Sequence, residues 1–341
     1  MRKLFLIFVG GALSFSLYGQ NVLENLVKIG IDFHEKGEYQ SAIEIYQKAL
    51  VVDPNSALAN YEIAMTYMHT RDYESCVKHS DQVINLDGEY VLPAYVTKAS
   101  CLDYLGRTDE SISLFKTGLR KFGDHYLLYY NLGFDYYKIN EIKEAEEAFI
   151  NAIHSNTGHA SSHLLLGYLM NDLHNRAQSL MCLYYFLLLE PASARAKEAY
   201  ELLLNQYSAQ VARDKDNPDQ IKILLDPDTD REFGTANMMI SMLEVSRTTE
   251  LNEGKSEEDL FIENTQSFFT ILGELKKKKN RGLWWEFYIP FFYEIANSDH
   301  VDSYCYYISQ ASSEISQKWI ESHAEKLNQF INWLQGYQKG L

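Results

Sequence analysis

Between Leu23 and Pro191 the chain repeats one pattern of hydrophobic and polar positions five times. In the first copy, IGIDFHEKGEYQSAIEIYQKALVVDP, the pattern is carried by Gly30, Phe33, Ala42, Tyr46, Ala49 and Pro54. The first small residue recurs as Gly30, Ala64, Ala99, Gly133 and Gly167, separated by 34, 35, 34 and 34 positions. The spacing predicts two short amphipathic helices per unit. Gly30 on the first faces Ala42 on the second, so the backbones approach closely. Phe33 and Tyr46 fill the groove around that contact. Ala49 admits the next unit, and Pro54 or a glycine ends the second helix. One such pair cannot bury its apolar face alone, so the units must stack.

This pattern resembles the tetratricopeptide repeat over residues 23–193, about half of the chain. Departures fall in single slots, such as Ser80 where an aromatic residue is usual and Cys76 where alanine is usual. The resemblance implies an all-α superhelical solenoid with repeats at 23–56, 57–91, 92–125, 126–159 and 160–193. It also implies that the first helix of each pair lines a concave groove that holds a protein or peptide partner. Carried over slot by slot, the candidate groove is Tyr61, Met65, Met68, His69, Tyr104, Leu127, Tyr130, Phe134, Tyr137, Lys138 and Tyr168. Members of the family that clamp a C-terminal carboxylate use several lysines, an arginine and asparagines. Lys138 is the one lysine in these slots and no arginine joins it, so the expected ligand is apolar or aromatic. The competing expectation is that another part of the chain covers these rings.

After Pro191, residues 194–212 read as an amphipathic helix that caps the array, and RDKDNPDQ (213–220) reads as a linker. Residues 221–341 keep helical spacing, with helices expected near 235–247, 257–279, 283–296, 301–312 and 313–335 and no strand pattern. In the last of these, Ile315, Trp319, Ile320, His323, Leu327, Phe330, Ile331 and Leu334 form one apolar stripe. In the stretch GLWWEFYIPFFYEI (282–295) half of the residues are aromatic. Glu286, Pro290 and Glu294 interrupt it and it is too short to cross a bilayer, so it is expected as a wedge of rings in a C-terminal core, kinked or split at Pro290. The tail around WWEFYIPFFY and CYYISQ also looks like that of secreted tetratricopeptide proteins of Bacteroidota type.

The opening residues change where such a protein would work. Arg2 and Lys3 precede an apolar run, Leu4 to Leu17, and small Gly19 precedes Gln20, as in a cleaved secretory signal over residues 1–19. The expectation is a periplasmic or secreted protein without a transmembrane segment after cleavage. Net charge is −16, or −18 without Arg2 and Lys3, which disfavours nucleic acid as a partner. The basic run Lys276 to Lys279 closes a helix, where cations complement the carbonyl end of the dipole. Cys76, Cys101, Cys182 and Cys305 lie far apart, and small buried thiols are expected rather than disulfides.

Three groups of residues invite a chemical reading. Asp226, Asp228 and Asp230 have the spacing of a calcium loop, but Arg231 and Asn237 stand where glycine and glutamate are needed. His159 and His163 lie four apart without a carboxylate or cysteine to complete a metal site. Glu286, Glu294, Asp299, His300 and Asp302 surround the aromatic run, and solvated helix faces account for them. No metal and no cofactor are expected, and no catalytic residue is assigned. The expected function is a non-catalytic scaffold, in an envelope or secretion-related assembly. The alternatives are an enzyme or glycan-binding site in the C-terminal domain, and self-association through the solenoid ends.

Overall fold

The computed structural model describes residues 2–213, 221–223, 232–247, 252 and 254–339. They are overwhelmingly helical. By packing, the chain divides inside one helix: residues through Ala148 form one compact unit and residues from Phe149 a second.

The first unit is built from α1 (Arg2–Glu35), α2 (Tyr39–Val52), α3 (Ala57–His69), α4 (Tyr73–Leu86), α5 (Val91–Tyr104), α6 (Thr108–Phe122), α7 (Tyr126–Lys138) and the start of α8 (Ile142–Ser155). From α1 to α7 each helix packs on the next, antiparallel as short connections require. The turn inside each helix pair has one residue with positive φ: Gly37 at 76°, Arg71 at 64°, Gly106 at 76° and Asn140 at 63°. This left-handed turn recurs at the period of the small residues, and side chains cap the starts of three helices. Ser56 accepts the Ala59 amide at α3, Asp72 the Ser75 amide at α4, and His125 the Leu127 amide at α7.

Close approach has a visible cause at Gly30. A Cβ there would lie 2.4 Å from the ring of Tyr46, so the ring of the second helix fills the space the glycine leaves. Val27, Ala42, Ile43, Tyr46, Ala49, Ala59 and Ile63 form the core of the first two pairs, and Tyr95, Phe115, Leu128 and Leu132 lie in that of the next. Cys76 of α4 and Cys101 of α5 form a disulfide, which corrects the expectation of free thiols there. Both occupy fully buried slots on adjoining helices, with Cα atoms 6.5 Å apart, within disulfide reach. Cys182 and Cys305 are buried and take no part in a disulfide.

The second unit contains the end of α8, α9 (Ala160–Asp172), α10 (Arg176–Leu189), α11 (Ala194–Ser208), and α12 (Gly234–Arg247) through α17. The latter are α13 (Glu257–Leu275), α14 (Ile289–Ala296), α15 (Val301–Ser309), α16 (Glu314–Ser322) and α17 (Ala324–Lys339). Its α9–α10 turn has the same left-handed residue, His174 at φ 58°. Helix α10 is buried on every side from Arg176 to Leu188, as a helix apolar all round must be. Helices α9, α11, α12 and α15 and the turn before α14 surround it.

Three details depart from the sequence reading. Val211–Arg213 (β1) pairs antiparallel with Ile221–Ile223 (β2), with Val211 opposite Ile223, where no strand was expected. Three-residue strands are too short to show an alternating pattern. The last expected helix is two, broken at His323, and its stripe is largely unburied: Ile315 is 54% exposed and Phe330 is the fully buried member. Trp319 instead stacks on Tyr306 at 4.4 Å. The linker 213–220 lies outside the described residues apart from Arg213, as does the calcium-like loop apart from its end.

The aromatic run forms a core wedge. Leu283, Trp284, Trp285, Tyr288, Ile289, Phe291, Phe292 and Ile295 are buried, while Glu286 and Glu294 face solvent. Pro290 does not split the helix. It lacks the N–H that would reach the carbonyl of Glu286, and the helix absorbs the loss in a π-turn, Trp284–Tyr288, where the Ile289 amide donates to Trp284 instead.

Candidate partner-binding groove

In the first unit the odd-numbered helices touch one another in turn, α1 to α3, α3 to α5 and α5 to α7. Ten of the candidate groove residues lie on α3, α5 and α7; Tyr168 lies on α9 of the second unit, half-buried near Glu198 and Arg195.

Along α3, Tyr61, Met65 and Met68 are half-buried and His69 is exposed. Tyr61 stacks on Tyr90 at 5.6 Å, and the hydroxyl of Thr97 donates to the sulfur of Met65 at 3.3 Å. Burial raises the Tyr61 phenol above its ordinary range, and Glu62 adds to the shift. His69 stacks on Tyr39 at 5.3 Å and meets the edge of His34 at 4.9 Å. On α5, Tyr104 is 60% exposed and rests on Tyr73 at 4.9 Å. On α7, Leu127, Tyr130 and Tyr137 are half-buried and Phe134 is 43% exposed. Rings and thioethers of this size, left partly open along three adjoining helices, form an apolar strip.

Lys138 is not free to clamp a carboxylate. Its Nζ donates to Oδ1 of buried Asp103 at 2.8 Å, and the Thr108 hydroxyl donates to the same oxygen at 2.7 Å. Beside this pair, Asp135 is buried with its Oδ2 2.5 Å from the Ser111 hydroxyl. Burial pushes its carboxyl up to about 7, against the Ser111 hydrogen bond, with Asp103 raising and Lys138 lowering it further. Sequence reasoning singled out the lysine and passed over Asp135; an acid on the helix face between Leu132 and Tyr136 was the available signal.

The other candidate chemistry resolves into structure. His163 is fully buried: its Nε2–H donates to the carbonyl of Thr157 at 3.0 Å, so Nδ1 accepts from the hydroxyl of Tyr288 at 2.6 Å. Burial holds its pKa down at about 3. His159 turns to Ser162 at 2.8 Å instead of towards His163. Among the described residues no group of three or more His, Cys, Asp or Glu is placed to hold a metal. Glu286 accepts the Gly282 amide at 2.9 Å, and Asp302 accepts the Ser303 amide at 2.7 Å, both as helix-start carboxylates.

Arg176 was missed altogether. Its guanidinium is buried at the carbonyl end of α11, where it donates to the carbonyls of Gln206 and Tyr207, to Ser241 Oγ at 2.7 Å and to Gln210 at 2.9 Å. These carbonyls have no intrahelical donor, and a cation suits the negative end of the helix. A charge opening the run RAQSLMCLYYFLLL was the signal.

The helix pairs thus define a stacked α-helical repeat protein with an aromatic helical C-terminal region. Residues 30–69 match the family model described as TPR repeat. Tetratricopeptide repeat protein 28 of Mus musculus is 29% identical over 83 residues, 24% of this chain and 3% of that protein, so the match spans a small part of its length. Among solved structures, MamA is similar at 22% identity and TM-score 0.42 over 48% of this chain and 94% of that one. A thermophilic TPR protein of Thermus thermophilus, TTC0263, is similar at 18% identity and TM-score 0.46, over 53% and 98%. No helix among the described residues is long and apolar enough to cross a membrane.

Proposed function

We propose that this protein is a non-catalytic scaffold that holds a protein or peptide partner along α3, α5 and α7. The observation that carries this reading is the strip of large residues left open there, with Tyr104 60% and Phe134 43% exposed while Tyr46 of α2 and Phe115 of α6 are buried. Such rings supply contact area at small entropic cost and dominate binding where water is excluded around them. The disulfide between Cys76 and Cys101 favours an oxidising compartment, in keeping with the signal-like N-terminus and a role in an envelope or secretion-related assembly.

A photo-crosslinking residue placed at Tyr104 or Phe134 in cells tests the reading. It should capture a defined partner that the same residue at Val51, 83% exposed on α2, does not. Equal capture at all three positions would count against a groove.

A further inference from the structure

We infer that the second unit holds a site for a small amino alcohol, an ammonium and a hydroxyl joined by a short apolar chain, in a pocket between α11, α13 and α15. The inference goes beyond the scaffold reading and does not rest on it. The pocket has a volume of about 90 Å³. At roughly 10–15 Å³ for each water-sized group, it admits about six to nine non-hydrogen atoms. Much of its wall is apolar or aromatic: Tyr200 and Leu204 of α11, Phe261 and Ile262 of α13, and Tyr306 of α15. Tyr200 meets Phe261 edge-on at 5.3 Å. A ring-lined pocket with a few convergent polar groups is the usual form of a small-molecule site.

One stripe of α13 runs from solvent into this pocket. Glu257, Phe261 and Asn264 follow at intervals of four and three, so they share a helix face. Glu257 is exposed, Phe261 and Asn264 are buried, and Asn264 is only 9% accessible. Asn264 points to a ligand. It lines the pocket, and among the described residues its side-chain amide has no hydrogen-bond partner. Other polar groups of the wall are engaged: the Tyr207 hydroxyl with that of Tyr184 at 2.9 Å, and the Ser309 hydroxyl with that of Ser316 at 2.8 Å. An amide taken out of water without a partner is unfavourable. A ligand hydroxyl satisfies it, since it can donate to the amide oxygen and accept from the amide nitrogen.

Charge fixes the other end of the ligand. Glu244, Glu257, Glu258 and Arg247 are the charged groups of the wall among the described residues. Arg247 donates to Glu244 at 3.4 Å and also to Glu257, so its guanidinium is not open to an anion. Glu258 is half-buried, accepts the Ser313 hydroxyl at 3.3 Å, and pairs with no cation among the described residues. A protonated amine supplies that cation, and the rings around it add cation–π attraction. Glu258 and Asn264 are six residues apart on α13, about 9 Å along the helix axis, so ammonium and hydroxyl belong at opposite ends of the chain. Burial holds the Cys305 thiol well above its ordinary range, so this wall offers no thiolate to react with the ligand.

Calorimetric titration of the full-length protein with three straight-chain compounds of equal chain length, substituted at the chain ends, decides the matter. These are aminopentanol, pentanediol (hydroxyl in place of ammonium) and pentylamine (no hydroxyl). Aminopentanol should bind one to one at millimolar concentration, and each of the others about tenfold or more weaker. Glu258→Gln should bring aminopentanol down to the level of pentanediol and leave pentanediol itself unchanged. Asn264→Leu should bring aminopentanol down to the level of pentylamine. It should also raise the thermal unfolding midpoint of the ligand-free protein, because a buried amide without a partner is removed. That gain separates the loss of a binding group from a folding defect, and a lowered midpoint would count against the inference. Equal binding of aminopentanol and pentanediol, no saturable binding of any of the three, or affinities that neither substitution changes would overturn it. None of these outcomes bears on the groove along α3, α5 and α7.

Discussion

A buried hydrogen bond, Tyr288 to His163, joins the aromatic run to the last repeat of the array. Because Nε2–H is committed to Thr157, Nδ1 has the Tyr288 hydroxyl as its donor, and the ring is sealed from water. Tyr288→Phe keeps the ring and removes that donor, so a buried acceptor loses its partner at a cost of roughly 1–3 kcal/mol. The same site gives a pH dependence. Folding depresses the imidazole from its ordinary value to about 3, so the unfolded chain binds the extra proton between about 6.5 and 3. The contribution is fully present above about pH 6.5 and is lost as pH falls, by up to about 1.4 kcal/mol per unit. Denaturant unfolding at a series of pH values checks both statements. His163→Gln should flatten the acid limb relative to the unaltered protein; an unchanged slope would mean the imidazole takes up its proton without unfolding.

The elements show what a sequence can and cannot disclose. Helix pairs were legible because their small residues recur at a fixed spacing, and packing enforces that spacing. The left-handed turn was less so, since it is filled by Gly37 and Gly106 in two copies but by Arg71, Asn140 and His174 in the others. There the neighbouring helices impose the backbone and the side chain tolerates it. Arg71 should be the costliest of these, having no short polar group to favour that conformation. Arg71→Gly is accordingly expected to stabilise the protein by roughly 0.5–1 kcal/mol, the left-handed penalty less the entropy of an added glycine. A lowered midpoint in thermal unfolding would show that the arginine side chain makes a contact worth more than its strain. The disulfide was illegible for another reason. Cys76 and Cys101 are 25 positions apart, and their meeting depends on how α4 lies on α5. The candidate groove slots were taken from the repeat, whereas Asp103 and Asp135 gain their character from burial, which spacing does not reveal.

At the scale of the molecule, the aromatic run and the last repeat cannot be treated as separate parts. The fifth repeat and the C-terminal helices belong to the same compact unit. Helix α10 presents Tyr184 to Tyr207 and Thr265, accepts the Tyr304 hydroxyl at its own backbone, and packs Tyr185 against Phe287 and Phe291. In an ordinary array the last helix needs a cap on one face alone; α10 is covered on all of them. A chain ending at Ala212 would therefore expose several whole aromatic side chains at once, each worth on the order of 2 kcal/mol or more of lost burial. It would also remove Ser241 and Asn237 from around Arg176, leaving a buried cation short of acceptors. The shortened chain is expected to lose the α9–α11 helices cooperatively, bind a hydrophobic dye, and show less helix by circular dichroism than its length predicts. The helices up to α7 have their own cores and should persist. A shortened chain that melts within a few degrees of the full one, without dye binding, would show that the C-terminal helices decorate the array and do not complete it.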